Sequence, residues 1–277
     1  MAVNRVVITG RGAVSPFGLG VPLLLEKIWA GSSAVRHMEE WAEIRGLRSH
    51  IAAPVPDFDA KKFLPRSARR TMGAMAVYAT LATREAIADA DIQQEMLEGG
   101  RTGVAIGSTT GSAAAYEEFY LKYLPEKVLD GIKSGEFFKM MGHSCVANVC
   151  LALGVEGEQW APVSACTSSS QAIGLGYILI QAGRQDIVLC GGADEAHASV
   201  TGVFDLLRAA SFNNSDPEGG CRPFERDRDG VVCGGGSGIL VLESLESAER
   251  RGRKYMVRLL GLAMLLTAGI LPARIKR

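Results

Sequence analysis

Apolar positions along the chain fall into short, continuous β-branched runs separated by longer stretches with helical spacing. Strand-type runs are predicted at 5–9, 103–106, 186–190 and 238–243, and helical stretches at 22–29, 72–89, 135–153 and 166–182. Short apolar strands alternating with helices indicate an α/β layer fold whose strands are buried and mostly parallel. Over 72–89 the apolar spacing is that of a core-facing helix, and its alanines permit close approach. That segment is read as packing, without chemistry of its own. Glycine pairs at 191–192 and 219–220 are expected to close strands. Gly234-Gly235-Gly236-Ser237-Gly238 leads into the last strand, so it is not a phosphate loop, which would open a helix. No linker or low-complexity tract divides the chain, and one domain is the simplest organisation.

With 277 residues and 47% hydrophobic content the chain can bury a large core. Thirty basic residues balance thirty acidic ones, so no global field favours nucleic acid or an anionic membrane. A charged partner must therefore meet a local patch. The six cysteines form no Cys-x-x-Cys pair and the four histidines add no metal-ligand spacing. A reduced, cytoplasmic protein without metal or cofactor is expected. The N-terminus lacks the apolar length and cleavage site of a secretory signal. The apolar run at 259–271 is shorter than the ~20 residues a membrane span needs, so core material is expected there.

Cys166 is the most informative residue. It sits in Ser164-Ala165-Cys166-Thr167-Ser168-Ser169-Ser170-Gln171-Ala172-Ile173-Gly174, where an extended stretch runs into a small-residue helix. A cysteine ahead of a helix faces unpaired N–H groups and the positive end of the dipole, both of which favour thiolate. The alternative is a buried cysteine acting as a small hydrophobe. A second candidate feature is the basic cluster Arg66, Arg69 and Arg70, whose alternative reading is a solvated helix face.

These residues, taken in order, resemble the β-ketoacyl-acyl-carrier-protein synthases, the condensing enzymes of fatty acid synthesis in the thiolase-like superfamily. The resemblance runs over 5–261. It rests on Val6-Val7-Ile8-Thr9-Gly10, Val14-Ser15-Pro16-Phe17-Gly18, Arg48-Ser49-His50, Ala86-Ile87-Ala88-Asp89-Ala90, the Cys166 turn, Gln185-Asp186-Ile187-Val188 with Gly191-Gly192, and Arg222-Pro223-Phe224-Glu225-Arg226-Asp227-Arg228-Asp229-Gly230. Gly234-Gly235-Gly236 without a glutamate, together with Arg48-Ser49-His50, leans toward the synthase I branch.

The resemblance implies a layered αβαβα fold of two similar halves, with this chain supplying the first half (1–253) and the opening of the second (254–277). A divergent tail follows Gly261, and a truncated or frame-shifted product is expected from that loss of pattern. A homodimer is implied, as are an acidic acyl carrier protein and acyl and malonyl thioesters as partners. By match to the motif, Cys166 is the acylated nucleophile and its N–H one oxyanion donor. Phe204 matches a position lining the acyl channel, although an ordinary core aromatic is the competing reading. Arg66 and Arg70 fall where the family places carrier-docking residues, with Arg69 beside them.

The family's condensation also uses two histidines and a lysine from the second half, which do not occur in their contexts here. Gly142-His143 is only superficially similar, and His197 is not a family catalytic position. Condensation is therefore expected to be nearly abolished, with acyl transfer left open. A half core is expected to leave an apolar face that aggregates or binds a partner. Two further readings are a non-catalytic remnant or partner-binding subunit, and a thiol hydrolase pairing Cys166 with His143 or His197.

Overall fold

The computed structural model describes residues 4–262, so the divergent tail after Gly261 lies outside the described residues except for Leu262. The first strand, β1 (Val6–Ser15), is twice as long as its apolar run, because it continues through Gly10 and Gly12. A register shift between Ile8 and Gly10 bends it there. Next come β2 (Gly18–Leu19) and helix α1 (Val21–Trp29), which carries a proline in its first turn. A separate small ribbon pairs β3 (Arg36–His37) with β4 (Ile51–Ala52). Beyond the short α2 (Arg66–Arg69) runs α3 (Ala74–Ala90), then α4 (Gln94–Glu98) and β5 (Thr102–Gly107).

After α5 (Ala113–Tyr123), the stretch expected as one helix over 135–153 is two, α6 (Ser134–Met140) and α7 (Ser144–Leu153). Met141 is extended, at φ −69° and ψ 140°, and Met141-Gly142-His143 forms the break. Then follow β6 (Gln159–Trp160), α8 (Ser168–Gln181), β7 (Ile187–Asp194), α9 (Ala198–Leu206), β8 (Gly236–Ser244), α10 (Leu245–Arg250) and β9 (Val257–Leu259).

The main sheet has the order β2-β1-β8-β7-β5-β6, with β9 on the other side of β1 from β8. The pairing is mixed, which corrects the expectation of a mostly parallel sheet. β5 pairs parallel with β6 and β7, whereas β8 runs antiparallel to both β7 and β1. The long excursion over 195–235 returns the chain to the end of β7 that it left, so β8 must run back along it.

Strand residues alternate between two cores, as a period of two requires. Val104, Ile106, Ile187, Leu189 and Val241 face the layer of α3 and α7. Ala105, Val188, Cys190 and Leu242 face α8. Helix layers on both faces explain the continuous apolar runs, and the described residues form an α/β/α sandwich. Gly191 and Gly192 lie inside β7 and do not close it, contrary to expectation. The reason is proximity: a Cβ on Gly191 would strike Gly238, and one on Gly192 the side chain of Ser169. The second glycine pair, Gly219-Gly220, adjoins no strand; it lies in the irregular stretch before β8.

A buried bidentate pair ties the far end together. Arg251 donates to both oxygens of Glu243 at 2.9 Å, and also to the carbonyls of Ala90 and Asp91, where α3 ends. At the middle of α3 the glycines of β1 set the spacing, since a Cβ on Gly12 would lie 2.7 Å from Ala86 N and closer still to Ala82 O. Gly12→Ala is expected to lower unfolding stability by about 3 kcal/mol, as backbone cannot give way like a side chain. Urea unfolding followed by circular dichroism checks this; an unchanged midpoint would show that α3 can move away.

Candidate active site

The turn before α8 is built on strand positions that carry no side chains. Gly107 ends β5, and a Cβ there would lie 2.5 Å from the Ser168 backbone. Gly192 plays the same part under Ser169. With nothing between them, α8 starts directly above the sheet. The chain reaches it through Ala165, which is held at φ 47°, a left-handed conformation costly for alanine.

Hydrogen bonds hold that strained turn. Ser164 N donates to Ser168 Oγ at 2.8 Å, and Ser168 Oγ in turn donates to Ala165 O at 2.7 Å. Thr167 Oγ1 donates to Ser164 O at 2.8 Å. Cys166 projects from the crest and is exposed. Among the described residues its N–H has no hydrogen-bond acceptor.

Behind the turn lies a carboxylate brace that sequence reasoning did not single out. Asp194, at the end of β7, accepts from Thr109 N at 2.8 Å, Ser108 Oγ at 3.0 Å and Thr109 Oγ1 at 3.1 Å. Thr109 Oγ1 also lies 3.5 Å from Ala165 O. Its neighbour Glu195 accepts from Ser112 Oγ at 2.9 Å and Ala114 N at 2.8 Å. The two acids thus fix the loop after β5 against the turn. Polar residues directly after a glycine-ended strand were the available signal, but their partner is more than eighty residues away.

Arg48-Ser49-His50 serves as a clamp. Arg48 Nε donates to Asp205 Oδ1 at 2.8 Å and Arg48 Nη2 to Asp205 O at 2.7 Å, while Ser49 N reaches the same carboxylate. His50 N donates to Asn214 Oδ1 and Ser49 Oγ to Ser211 O. The clamp anchors α9, which carries Phe204. Phe204 is half-buried and lies one turn beyond buried Thr201, on the same helix face.

Arg66 and Arg70 are exposed, as are Lys61 and Lys62 before them. Arg69 differs: it is half-buried and its Nε donates to Leu64 O at 3.0 Å, so its head is engaged in holding the loop. His143 is exposed and caps α7. His197 has both ring nitrogens occupied, Nδ1 by Ser199 at 2.8 Å and Nε2 by Glu117 at 2.9 Å. Neither histidine is brought to Cys166 by a hydrogen bond. A cavity of about 760 Å³ is lined by Leu47, His197 and Leu206, and one of about 1150 Å³ by Arg208, Phe224 and Val231. Cys166 lines neither and opens to solvent.

The six cysteines are all unpaired and divide by environment. Burial pushes the Cys150 thiol up to about 12. It pushes Cys145 and Cys190 up as well, with the charges of Asp194 and Glu195 adding to the effect at Cys145. Cys166 and Cys221 are the exposed ones. Among the described residues no cluster of histidine, cysteine or acidic side chains could hold a metal ion.

An α/β/α sandwich with an exposed cysteine on a strained turn ahead of a helix is of the thiolase-like class. The family model for the β-ketoacyl synthase N-terminal domain matches residues 3–248, and the chain belongs to the β-ketoacyl synthase family. It is 34% identical over 260 residues to 3-oxoacyl-[acyl-carrier-protein] synthase 1 of Haemophilus influenzae, covering 94% of this chain and 64% of that protein. It is 33% identical over 262 residues to synthase 2 of Synechocystis, with 94% and 62% covered. Among solved structures, a β-ketoacyl synthase from Burkholderia phymatum superposes with a TM-score of 0.85 at 38% identity, covering 91% of this chain and 62% of that one. A ketosynthase in complex with a type II polyketide acyl-carrier protein superposes at 0.78 with 30% identity, covering 91% and 61%. The chain thus spans a little under two thirds of the length of these relatives.

Two outcomes follow from this geometry. Alkylation of the native protein at pH ~8 is expected to label Cys166 and Cys221 and to leave Cys145, Cys150 and Cys190 unmodified. Gly107→Ala, which displaces the turn, is expected to slow labelling of Cys166 roughly tenfold while Cys221 is unaffected. Peptide mapping reads both, and equal rates would sink the close-approach argument. The second outcome concerns Asp205. Burial alone would raise its carboxyl, but hydrogen bonds from Arg48 and Ser49, with the Arg48 charge, hold it below the usual range. A depressed folded value means that this contribution is full above the unfolded value of ~3.9 and is lost as pH falls through the folded one. Asp205→Asn is expected to cost about 1–2 kcal/mol at neutral pH, discounted because Arg48 is half-exposed, and to flatten the acid limb below ~4. Thermal melts across pH test it; an unaltered acid limb would refute it.

Proposed function

We propose that this chain is the nucleophile-bearing half of a β-ketoacyl-acyl-carrier-protein synthase of fatty acid synthesis, in which Cys166 takes an acyl group from a carrier-protein thioester. The observation that carries the reading is the exposed Cys166 thiol on the strained Ala165 turn, with an uncommitted N–H beside it. The cysteine sulfur attacks the thioester carbonyl, a new carbon–sulfur bond forms, and the carrier thiol leaves with the proton. Negative charge develops on the carbonyl oxygen, where the Cys166 N–H is one donor. Phe204 lines the path of the acyl chain, in keeping with its place on the Thr201 face of α9.

Exposed Arg66 and Arg70, reinforced by Lys61 and Lys62, receive the acidic carrier protein; Arg69 contributes charge but its head is held by Leu64 O. Attraction of this kind weakens as salt rises. A homodimer accords with the open sheet edge at β6, whose Gln159 and Trp160 are exposed. A cytoplasmic setting accords with six unpaired cysteines. No helix among the described residues is long and apolar enough to cross a membrane.

Condensation with the malonyl thioester is a separate matter. None of the four histidines stands in the His-Gly-Thr context that the chemistry uses, so the second step is expected to be missing from this chain acting alone. The competing reading, a partner-binding subunit without turnover, is favoured by the same fact. Intact-mass spectrometry after incubation with acyl-carrier protein separates them. One added acyl group on the wild type and none on Cys166→Ala is the expected result, with no β-ketoacyl product on adding malonyl-carrier protein. A folded chain that takes no acyl group would overturn the acyl-transfer reading.

A further inference from the structure

A serine, a histidine and a glutamate stand in hydrogen-bond order on the wall of the cavity of about 760 Å³, and nothing in acyl transfer to Cys166 uses them. His197 precedes α9 and caps it, its Nδ1 accepting from Ser199 N at 3.2 Å. A backbone N–H can only donate, so Nδ1 carries the lone pair and Nε2 the proton. The directions of two further contacts are thereby fixed. Ser199 Oγ donates to Nδ1 at 2.8 Å, and Nε2 donates to Glu117 Oε2 at 2.9 Å. This is the order of nucleophile, base and orienting acid in a serine hydrolase, with the roles of the two ring nitrogens exchanged.

Glu117 comes from α5, and the meeting of α5 with α9 is anchored on both sides. Glu195, two residues before His197, accepts from Ser112 Oγ at 2.9 Å and Ala114 N at 2.8 Å, which ties the start of α5 to the start of α9. Opposite, the Arg48–Asp205 clamp holds α9 to the segment that carries Ile44, Arg45 and Leu47. The three side chains therefore sit between fixed elements. The His197 side chain is 18% exposed, while Ser199 is open to solvent. Ala198 N, on the same wall, has no acceptor among the described residues and is free to meet an oxyanion.

The rest of the wall sets the substrate class. Leu47, Val203 and Leu206 make it apolar, and exposed Arg45 and Arg208 add positive charge, whereas Arg48 is committed to Asp205. We propose that Ser199, His197 and Glu117 form a second site that hydrolyses carboxylic esters with an apolar acyl chain and an anionic alcohol portion. Ser199 Oγ attacks the carbonyl carbon as its proton passes to His197 Nδ1, and Glu117 steadies the imidazolium through Nε2–H. The carbon–oxygen bond of the ester breaks, and the departing alcohol takes the proton from Nδ1. Water then attacks the acyl-serine and gives a proton to Nδ1. The carboxylic acid departs, and Ser199 Oγ recovers that proton. No electrons change hands, and water is the co-reactant.

The test uses the purified full chain with Cys166 and Cys221 first capped by iodoacetamide, so that neither thiol turns over ester. It is incubated with 4-butyryloxybenzoate and with the methyl ester of that acid, and release of the phenol is followed by chromatography. An alkyl fluorophosphonate and peptide mapping locate the nucleophile. The expected result is a phosphonylated peptide containing Ser199, hydrolysis of the anionic ester several-fold faster than of the methyl ester, and loss of labelling and hydrolysis in Ser199→Ala. That variant keeps the backbone N–H that His197 caps, so α9 stays capped. Glu117→Gln is expected to slow labelling about tenfold or more, and Arg45→Gln to remove most of the preference for the anionic ester. Equal labelling in Glu117→Gln would mean that Ser199 is merely exposed, and the site falls. It falls equally if Ser199 takes no label in a chain whose Cys166 is capped normally, or if hydrolysis persists in Ser199→Ala. A methyl ester cleaved as fast as the acid would overturn the anionic substrate class. None of these outcomes touches the acyl-transfer reading of Cys166.

Discussion

The exposed Cys166 turn depends on how closely α8 sits on β5 and β7. The closeness is set by missing side chains: Gly107 lies under the Ser168 backbone and Gly192 under the Ser169 side chain. With helix and sheet in direct contact, the connecting chain has no length in which to turn gently. It passes through Ala165 at φ 47°, a conformation that costs about 1–3 kcal/mol. The hydrogen bonds made by Ser164, Thr167 and Ser168 offset this at about 1 kcal/mol each. The strain and the polar lattice are two sides of one arrangement, and Cys166 owes its exposure to both.

The acids behind the turn show a second use of the same constraint. Asp194 and Glu195 sit where β7 leaves the sheet, next to a loop that would otherwise be unsupported. Satisfied by Ser108, Thr109, Ser112 and Ala114 N, they convert that loop into a rigid wall for the turn. Their charge also bears on the interior, where together with burial it keeps Cys145 protonated. Burial alone has the same effect on Cys150 and Cys190.

Much of this was legible in the sequence because it is local. Continuous β-branched runs marked β5, β7 and β8, and small residues after Cys166 marked α8. Three things were not legible. Gly191 and Gly192 read as a strand end, but glycine here records a close neighbour from another part of the chain, not a stop. Arg69 read as part of a docking cluster with Arg66 and Arg70, yet a carbonyl five residues back claims its head. The brace of Asp194 on Thr109 joins residues eighty-five positions apart, and no local pattern announces it. Sheet direction had the same difficulty: β8 runs antiparallel because of where the 195–235 excursion returns, which its own residues do not encode.

The Arg48–Asp205 clamp divides α9 into an anchored face and an open one. Asp205 faces the 48–49 segment and is buried, whereas Val203 and Leu206 on the same helix are exposed, Leu206 at 85%, as is Leu207 just beyond it. Beyond α9, Phe224 stands 98% exposed at φ 67°. An apolar surface of that kind is unfinished within the described residues, while the turn bearing Cys166 is fully supported from within. The proposed acyl transfer asks for a presented sulfur and a donor to the oxyanion, and the hydrogen-bonded turn leaves the Cys166 thiol exposed. Among the described residues neither His143 nor His197 hydrogen-bonds to that turn, and His197 is instead held by Ser199 and Glu117.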